Sequence, residues 1–182
     1  ITTQLLDRAN LVGRRAPALV ADNWLNATPA NHRLDLPGAV TLIEFTAHWC
    51  GPCKDSYPGL KRLHDRFAAR GLRIVLATRL WGYFGAEKNI TAARELAADR
   101  QLFIDEEHLP FPVAIATPPA GVGPADGADA NAKAYYVQPI PQFVLIDRAG
   151  IVRAIDLGWD EKDESRLARR IEQLLGGGPD PH

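Results

Sequence analysis

Cysteine occurs at two positions in this 182-residue chain, and both fall in one tetrapeptide, Cys50-Gly51-Pro52-Cys53. The run Ala39-Val40-Thr41-Leu42-Ile43-Glu44-Phe45-Thr46-Ala47-His48-Trp49 before it reads as a buried strand ending in a tryptophan, and a helical pattern follows. A thiol pair at a strand-to-helix junction is a redox device, because amides at a helix N-terminus stabilise a thiolate on the first cysteine. The other fates of a cysteine pair fit less well. A tetrahedral zinc site usually needs four Cys or His ligands, and the sequence holds no second Cys pair or paired-His motif. A purely structural disulfide across so short a loop would restrict the unfolded chain very little.

Around this junction the chain reads as alternating strands and helices. Residues 1–16 form a lead-in with a short helix through Leu5, Leu6 and Leu11. Pro17–Val20 and His32–Leu36 are expected to pair as a hairpin around the turn-rich Asn23–Asn31 segment. Val40–Ala47 is the first central strand, apolar enough to be covered on both faces. The helix after Cys50 places Leu60, Leu63 and Phe67 on one side, with Pro58 inside it as an expected kink and Gly71 placed to end it. Leu72–Thr78 is the next strand, and this βαβ succession makes the two strands parallel. Asn89–Arg100 reads as a helix capped by Asn89 or Thr91, and Phe111–Ile115 as a short strand. Residues 118–132 have a loop composition, and Ala130–Tyr136 a short helical one. Pro141–Asp147 and Ile151–Leu157 form a hairpin. Asp160–Leu175 is a helix with Leu167, Ile171, Leu174 and Leu175 on one face and Gly176 as its stop. One domain over residues 1–175 and a mobile tail over 176–182 are expected.

Composition narrows the function classes. With 46% hydrophobic and 24% charged residues the chain is of the soluble globular kind. Its 21 basic and 22 acidic residues give a net charge of −1, which supports neither nucleic acid nor an anionic membrane as partner. No apolar run approaches the roughly 20 residues of a membrane span. No secretory signal is visible, and the chain opens at Ile1 with no Met anywhere, as a processed or trimmed protein would.

Phe45-Thr46-Ala47-His48-Trp49-Cys50-Gly51-Pro52-Cys53-Lys54 resembles the active-site stretch of thioredoxin-fold proteins. Leu11-Val12-Gly13-Arg14-Arg15-Ala16-Pro17 resembles the opening of the TlpA-like (redoxin) branch. Ile140-Pro141-Gln142-Phe143-Val144-Leu145-Ile146-Asp147-Arg148-Ala149-Gly150-Ile151-Val152 is similar to that branch's cis-proline strand, turn and final strand. The blocks stand in the family's order from Leu11 to about Leu175. The resemblance implies an α/β thioredoxin-like fold: a central mixed β-sheet flanked by helices, here with an N-terminal β-hairpin extension and an insertion before the cis-Pro strand.

Cys50, ahead of the helix, is expected to be the more exposed and more acidic thiol, the nucleophile. Cys53, one turn further in, is expected to be the buried resolving thiol. Gly51 lets backbone approach, and Pro52 fixes φ where no amide donor is required. Glu44 lies six residues before Cys50, where the fold commonly places a buried Asp. Burial would raise its pKa and let it exchange a proton with Cys53. A half-exposed Glu facing solvent is the alternative that strand alternation leaves open. TlpA-like proteins often carry a Glu three residues after the second Cys, and this chain has Ser56 there. Nor does the next strand supply a Lys to pair with Glu44; Thr78 and Arg79 lie near that place.

By base rate the Ile140–Pro141 bond would be trans. The resemblance implies instead a cis Pro141 facing the thiols, with Ile140 offering backbone groups to an extended substrate; Pro139 is a competing candidate, and the strand that follows favours Pro141. Trp49 is read as an apolar platform beside the thiols. His48, two residues before Cys50, could lower that thiol's pKa if charged; a partly exposed strand-end histidine fits at least as well, and it is not read as catalytic. Trp81-Gly82-Tyr83-Phe84-Gly85 fits a substrate lip or the packing of an inserted loop equally, and His32, His64 and His108 lack ligand spacing.

Together these residues point to a thiol–disulfide oxidoreductase whose only redox group is the Cys50–Cys53 pair, with no cofactor and no metal. The Gly-Pro dipeptide resembles that of reducing thioredoxins and favours reduction of protein disulfides. The resemblance implies an extracytoplasmic setting, a protein thiol or disulfide substrate such as apocytochrome c, and an upstream electron donor, with a membrane thiol reductase one source and an anchor preceding Ile1 another feature of the branch. An oxidant or isomerase, a thiol peroxidase, and a metal-holding or docking module are the rival readings. Peroxidases of this fold need a Pro-x-x-x-Thr-x-x-Cys setting, and Thr46 stands four residues before Cys50.

Overall fold

The computed structural model describes residues 3–28, 38–119 and 129–176. Helix α1 (Thr3–Leu11) leads into strand β1 (Asn23–Leu25). Then come β2 (Val40–Phe45), α2 (Gly51–Phe67), β3 (Leu72–Arg79), the two-residue strands β4 (Tyr83–Phe84) and β5 (Glu87–Lys88), α3 (Ala92–Arg100) and β6 (Val113–Ala116). Helix α4 (Ala130–Ala134), strands β7 (Gln142–Ile146) and β8 (Val152–Leu157) and helix α5 (Glu161–Gly176) complete the order.

Six strands form one mixed sheet in the order β1-β6-β3-β2-β7-β8. Strand β3 runs parallel to β2 and β6, and β7 runs antiparallel to β2 and β8. All six residues of β2 are buried, as a strand with both faces covered must be. Its side chains alternate between two cores. Val40 and Leu42 pack with Leu60, Leu63 and Phe67 of α2 and Leu167 and Ile171 of α5. Ile43 and Phe45 pack on the opposite face with Leu11, Val144, Val152 and Tyr135. Glu44 shares the parity of Leu42, so the sheet aims it at α2.

Helix α2 runs unbroken through Pro58 and passes into a 3₁₀ turn, Ala68–Arg70. Gly71 closes that turn at φ 104°, a left-handed conformation that glycine adopts without steric cost. Thr91, not Asn89, caps α3, its hydroxyl accepting from the Arg94 N–H. A π-helical turn over Gln101–Glu106 extends α3 beyond the Arg100 end that the sequence predicts.

The expected N-terminal hairpin is corrected. Pro17–Val20 is not a strand, and a strand, β1, lies instead inside the segment read as turn, pairing antiparallel with β6. The reason is where the backbone bonds go. Gly13 N–H donates to the Val152 carbonyl and Ala16 N–H to the Gly150 carbonyl, laying the lead-in along β8. Val20 is then held by a side chain, Asn131, through its N–H and its carbonyl at 2.8 and 2.7 Å. The His32–Leu36 partner, most of the insertion before Pro141 and the tail beyond Gly176 lie outside the described residues. Gly176 itself is the last residue of α5.

Candidate active site

The two cysteines are joined across the first turn of α2, with Cα atoms 5.3 Å apart. Cys50 is the N-cap of that helix, and the Cys53 N–H donates to its Sγ at 3.2 Å. Among the described residues no other amide reaches the sulfur, and Pro52 has none to offer. Cys53 is fully buried. Cys50 retains 3% exposure, so in the disulfide form the expected difference in accessibility is almost closed. The exposed surface here belongs to its neighbours: Gly51, Pro52 and Trp49, the last at 48%. A methyl group at Gly51 would meet nothing within 4 Å, so no contact among the described residues demands glycine there.

Glu44 is fully buried, which removes the solvent-facing alternative. Burial holds its carboxyl well above the ordinary carboxylate range, and the Ser56 hydroxyl bond opposes that only in part. Ser56 Oγ lies 3.0 and 3.1 Å from the two Glu44 oxygens and 2.7 Å from the Cys53 carbonyl oxygen. Glu44 and Cys53 therefore meet the same hydroxyl. Alongside, Thr46 Oγ1 and Tyr57 Oη are 3.1 Å apart and buried, so the Thr46 hydroxyl is engaged with Tyr57.

The Ile140–Pro141 bond is cis. Ile140 packs against both cores and lines a cavity with Trp49, Trp81, Phe45, Thr78 and Arg79. Trp49 and Trp81 meet edge to face with centroids 5.1 Å apart. Arg79 is buried, its guanidinium 4.1 Å over the Trp81 ring and 4.0 Å from the Asp129 carboxylate. The site residues from the sequence thus gather at one end of β2, around the start of α2.

His48 departs from its reading as a partly exposed residue. It is 6% exposed, stacked on Phe84 at 4.6 Å and edge-on to Tyr83 at 5.1 Å. The aromatic segment 81–85 therefore covers the back of the cysteine loop. Two carboxylates of α3 were missed. Glu95 accepts from the Trp81 and Gly82 amides at 2.6 and 2.8 Å, and Asp99 approaches His48. Their signal was present: positions 95 and 99 share a helical face with Ala98 and Leu102, a face that turns inward. Among the described residues no group of three or more His, Cys, Asp or Glu side chains is arranged to hold a metal, and no helix is long and apolar enough to cross a membrane.

The sequence profile of the Redoxin family matches residues 11–171. Thioredoxin-like protein YneN of Bacillus subtilis is 27% identical over 130 residues, 71% of this chain and 63% of its own length. Thiol-disulfide oxidoreductase ResA of Geobacillus kaustophilus is 26% identical over 164 residues, 90% of this chain and 78% of its own. The crystal structure of the thioredoxin-like superfamily protein SPOA0173 matches with a TM-score of 0.70 at 27% identity, covering 92% of this chain and 99% of that one.

Proposed function

The chain belongs to the Redoxin family, has a thioredoxin-like fold and is a thiol–disulfide oxidoreductase, and from that premise we propose that it reduces protein disulfides. The observation that carries this reading is the Cys50–Cys53 pair at the N-terminus of α2, with an amide aimed at Cys50 Sγ and a buried carboxyl behind Cys53.

In the dithiol form, the Cys50 thiolate attacks one sulfur of the substrate disulfide. That bond breaks, its second sulfur leaves as a thiolate, and a mixed disulfide joins Cys50 to the substrate. Cys53 then gives its proton to the Glu44 carboxylate and attacks Cys50 Sγ. The mixed disulfide breaks, the substrate leaves as its second thiolate, and the Cys50–Cys53 disulfide remains. Two electrons have passed to the substrate. Ile140, beside Pro141, offers its backbone to an extended substrate segment, and Trp49, Gly51 and Pro52 form the exposed platform on which it rests.

Return to the dithiol form requires an upstream thiol donor, for which a membrane thiol reductase is the proposed class. The TlpA-like resemblance supports a place outside the cytoplasm and a substrate such as the apocytochrome c disulfide. Residues 1–175 act as one unit in this reading, and no metal or further cofactor enters the cycle.

Two measurements test it. With a thiol donor present, the protein should reduce insulin disulfides, Cys50→Ser should abolish turnover, and Cys53→Ser should accumulate a mixed disulfide through Cys50. The potential of the pair against glutathione should lie below about −220 mV. A higher potential with net disulfide formation in a reduced substrate would favour the oxidant reading. Untouched insulin with stoichiometric metal binding would favour the holding module.

A further inference from the structure

Among the described residues, the Ser56 hydroxyl is the only hydrogen-bond donor on the Glu44 carboxyl, yet its shortest contact is elsewhere, 2.7 Å to the Cys53 carbonyl oxygen. A serine hydroxyl carries one proton and accepts through its lone pairs. It cannot donate to both partners at once. Which one it serves depends on where the carboxyl proton is. A protonated Glu44 can donate to Ser56 Oγ, leaving the serine proton for the Cys53 carbonyl. An ionised Glu44 has only acceptors, so an apolar site leaves the serine proton as its sole compensation.

We propose that Ser56 is a positioning residue that couples the proton on Glu44 to the turn carrying Cys53, its hydroxyl turning from the Cys53 carbonyl to the Glu44 carboxylate when Glu44 ionises. The inference rests on the reading of Glu44 as proton acceptor for Cys53 and assigns the side chain that sets the pH of that transfer.

The surroundings isolate the switch. The cross-strand neighbours of Glu44, Leu76 on β3 and Phe143 on β7, are apolar. Helix α5 brings Leu167 and Ile171 to this core. Helix α2 supplies Ser56, the two cysteine sulfurs and Tyr57, whose phenol burial and then the Glu44 charge push upward. Asp99 of α3 and Glu107 act on that phenol as further negative charges, and among the described residues no cation enters the balance at Glu44. The one interaction favouring its ionised form is Ser56.

The test is carboxyl and carbonyl 13C NMR of the oxidised protein, in which neither cysteine titrates. In the wild type, the Cys53 carbonyl resonance should move with the same midpoint as the Glu44 carboxyl. Ser56→Ala should raise that midpoint by about one pH unit or more, at least tenfold in the protonation equilibrium, and Ser56→Thr should restore it. The midpoint for resolution of the mixed disulfide should shift equally, and Ser56→Ala should add nothing in a Glu44→Gln background. A Cys53 carbonyl that ignores Glu44, or a midpoint unmoved in Ser56→Ala, overturns the inference. The wild-type co-titration stands whether or not the Ala variant folds. The carboxyl titration needs no turnover: inactivity toward disulfides would sink the reductase reading alone, and an unmoved titration in an active protein would sink the role of Ser56 alone.

Discussion

His48 Nδ1 and Asp99 Oδ1 lie 4.0 Å apart in the interior, and the contact is not an ion pair. Burial, and then the nearby charge of Lys54, pull the imidazole down to about 4. Burial, and then the charge of Glu95, push the Asp99 carboxyl up to about 7. Between those values both side chains are uncharged. His48 Nε2 and Asp99 Oδ2 are also buried without a hydrogen-bond partner. The cysteine loop is thus backed by a desolvated polar pair held in an aromatic cover.

A stability profile follows from the signs. Asp99 has a folded pKa above its ordinary 3.8, so its contribution is fully present below that value and lost as pH rises through about 7. His48 has a folded pKa below its ordinary 6.5, so its contribution is present above that value and lost as pH falls through about 4. Asp99→Asn should remove the alkaline loss alone. Relative to wild type, the variant should gain up to about 4 kcal/mol between pH 4 and 8. Urea midpoints across that range check this, and parallel profiles for the two proteins would refute it.

Glu95 should matter through its amide clamp. Its carboxylate is the acceptor for two successive backbone N–H groups, Trp81 and Gly82, and it is almost fully buried. Glu95→Ala would leave both amides without that acceptor and should cost about 2–3 kcal/mol. Glu95→Gln retains one acceptor and should recover about half. Trp81 contacts Trp49, so tryptophan fluorescence should change with the Ala variant. Stability within about 0.5 kcal/mol of wild type would remove the clamp from the argument.

What the sequence disclosed was whatever rests on local pattern. Val40–Phe45 is a mostly apolar run that holds one carboxylate, and Gly71 and Thr91 mark helix ends by conformations and hydrogen bonds their own residue types favour. Glu44 was legible as a candidate site residue for the same reason, its type clashing with its neighbours. Strand β1 was not, because three residues in a turn-rich segment become a strand only through partners at Val113–Ile115, far along the chain. Likewise, nothing local to His48 says that Tyr83 and Phe84 will fold over it, so a buried histidine reads as a partly exposed one.

Gly59 offers a case where helix propensity and packing oppose each other. In a helix interior, Ala is favoured over Gly by about 1 kcal/mol. Yet a methyl at Gly59 would stand 2.4 Å from Trp159 Cζ2, 3.0 Å from Cη2 and 3.2 Å from Glu164 Oε2. Trp159 in turn packs on Phe143 with ring centroids 5.4 Å apart, which limits its retreat. Gly59→Ala should therefore destabilise by about 1–3 kcal/mol despite its propensity. In a Trp159→Leu background the same change should become neutral or stabilising. A double-mutant cycle with no coupling between the two sites would show the ring is not the obstacle.

Asn131 ties the N-terminal segment to α4, and its chemistry makes a two-part prediction. Its Oδ1 accepts from the Val20 N–H while its Nδ2 donates to the Val20 carbonyl, and the neighbouring Tyr135 hydroxyl donates to the Pro17 carbonyl at 2.5 Å. Asn131 is 4% exposed, so little water is at hand to replace these bonds. Asn131→Ala should cost about 2 kcal/mol and accelerate hydrogen exchange at the Val20 amide. Asn131→Asp is the sharper case. A protonated Asp can still donate to the Val20 carbonyl, whereas an ionised one sets a carboxylate oxygen against it. Folding should therefore hold the introduced carboxyl proton, and the stability of the variant should fall as pH rises through that raised titration. A Val20 amide equally protected in all three proteins would show that the segment is held by something other than Asn131.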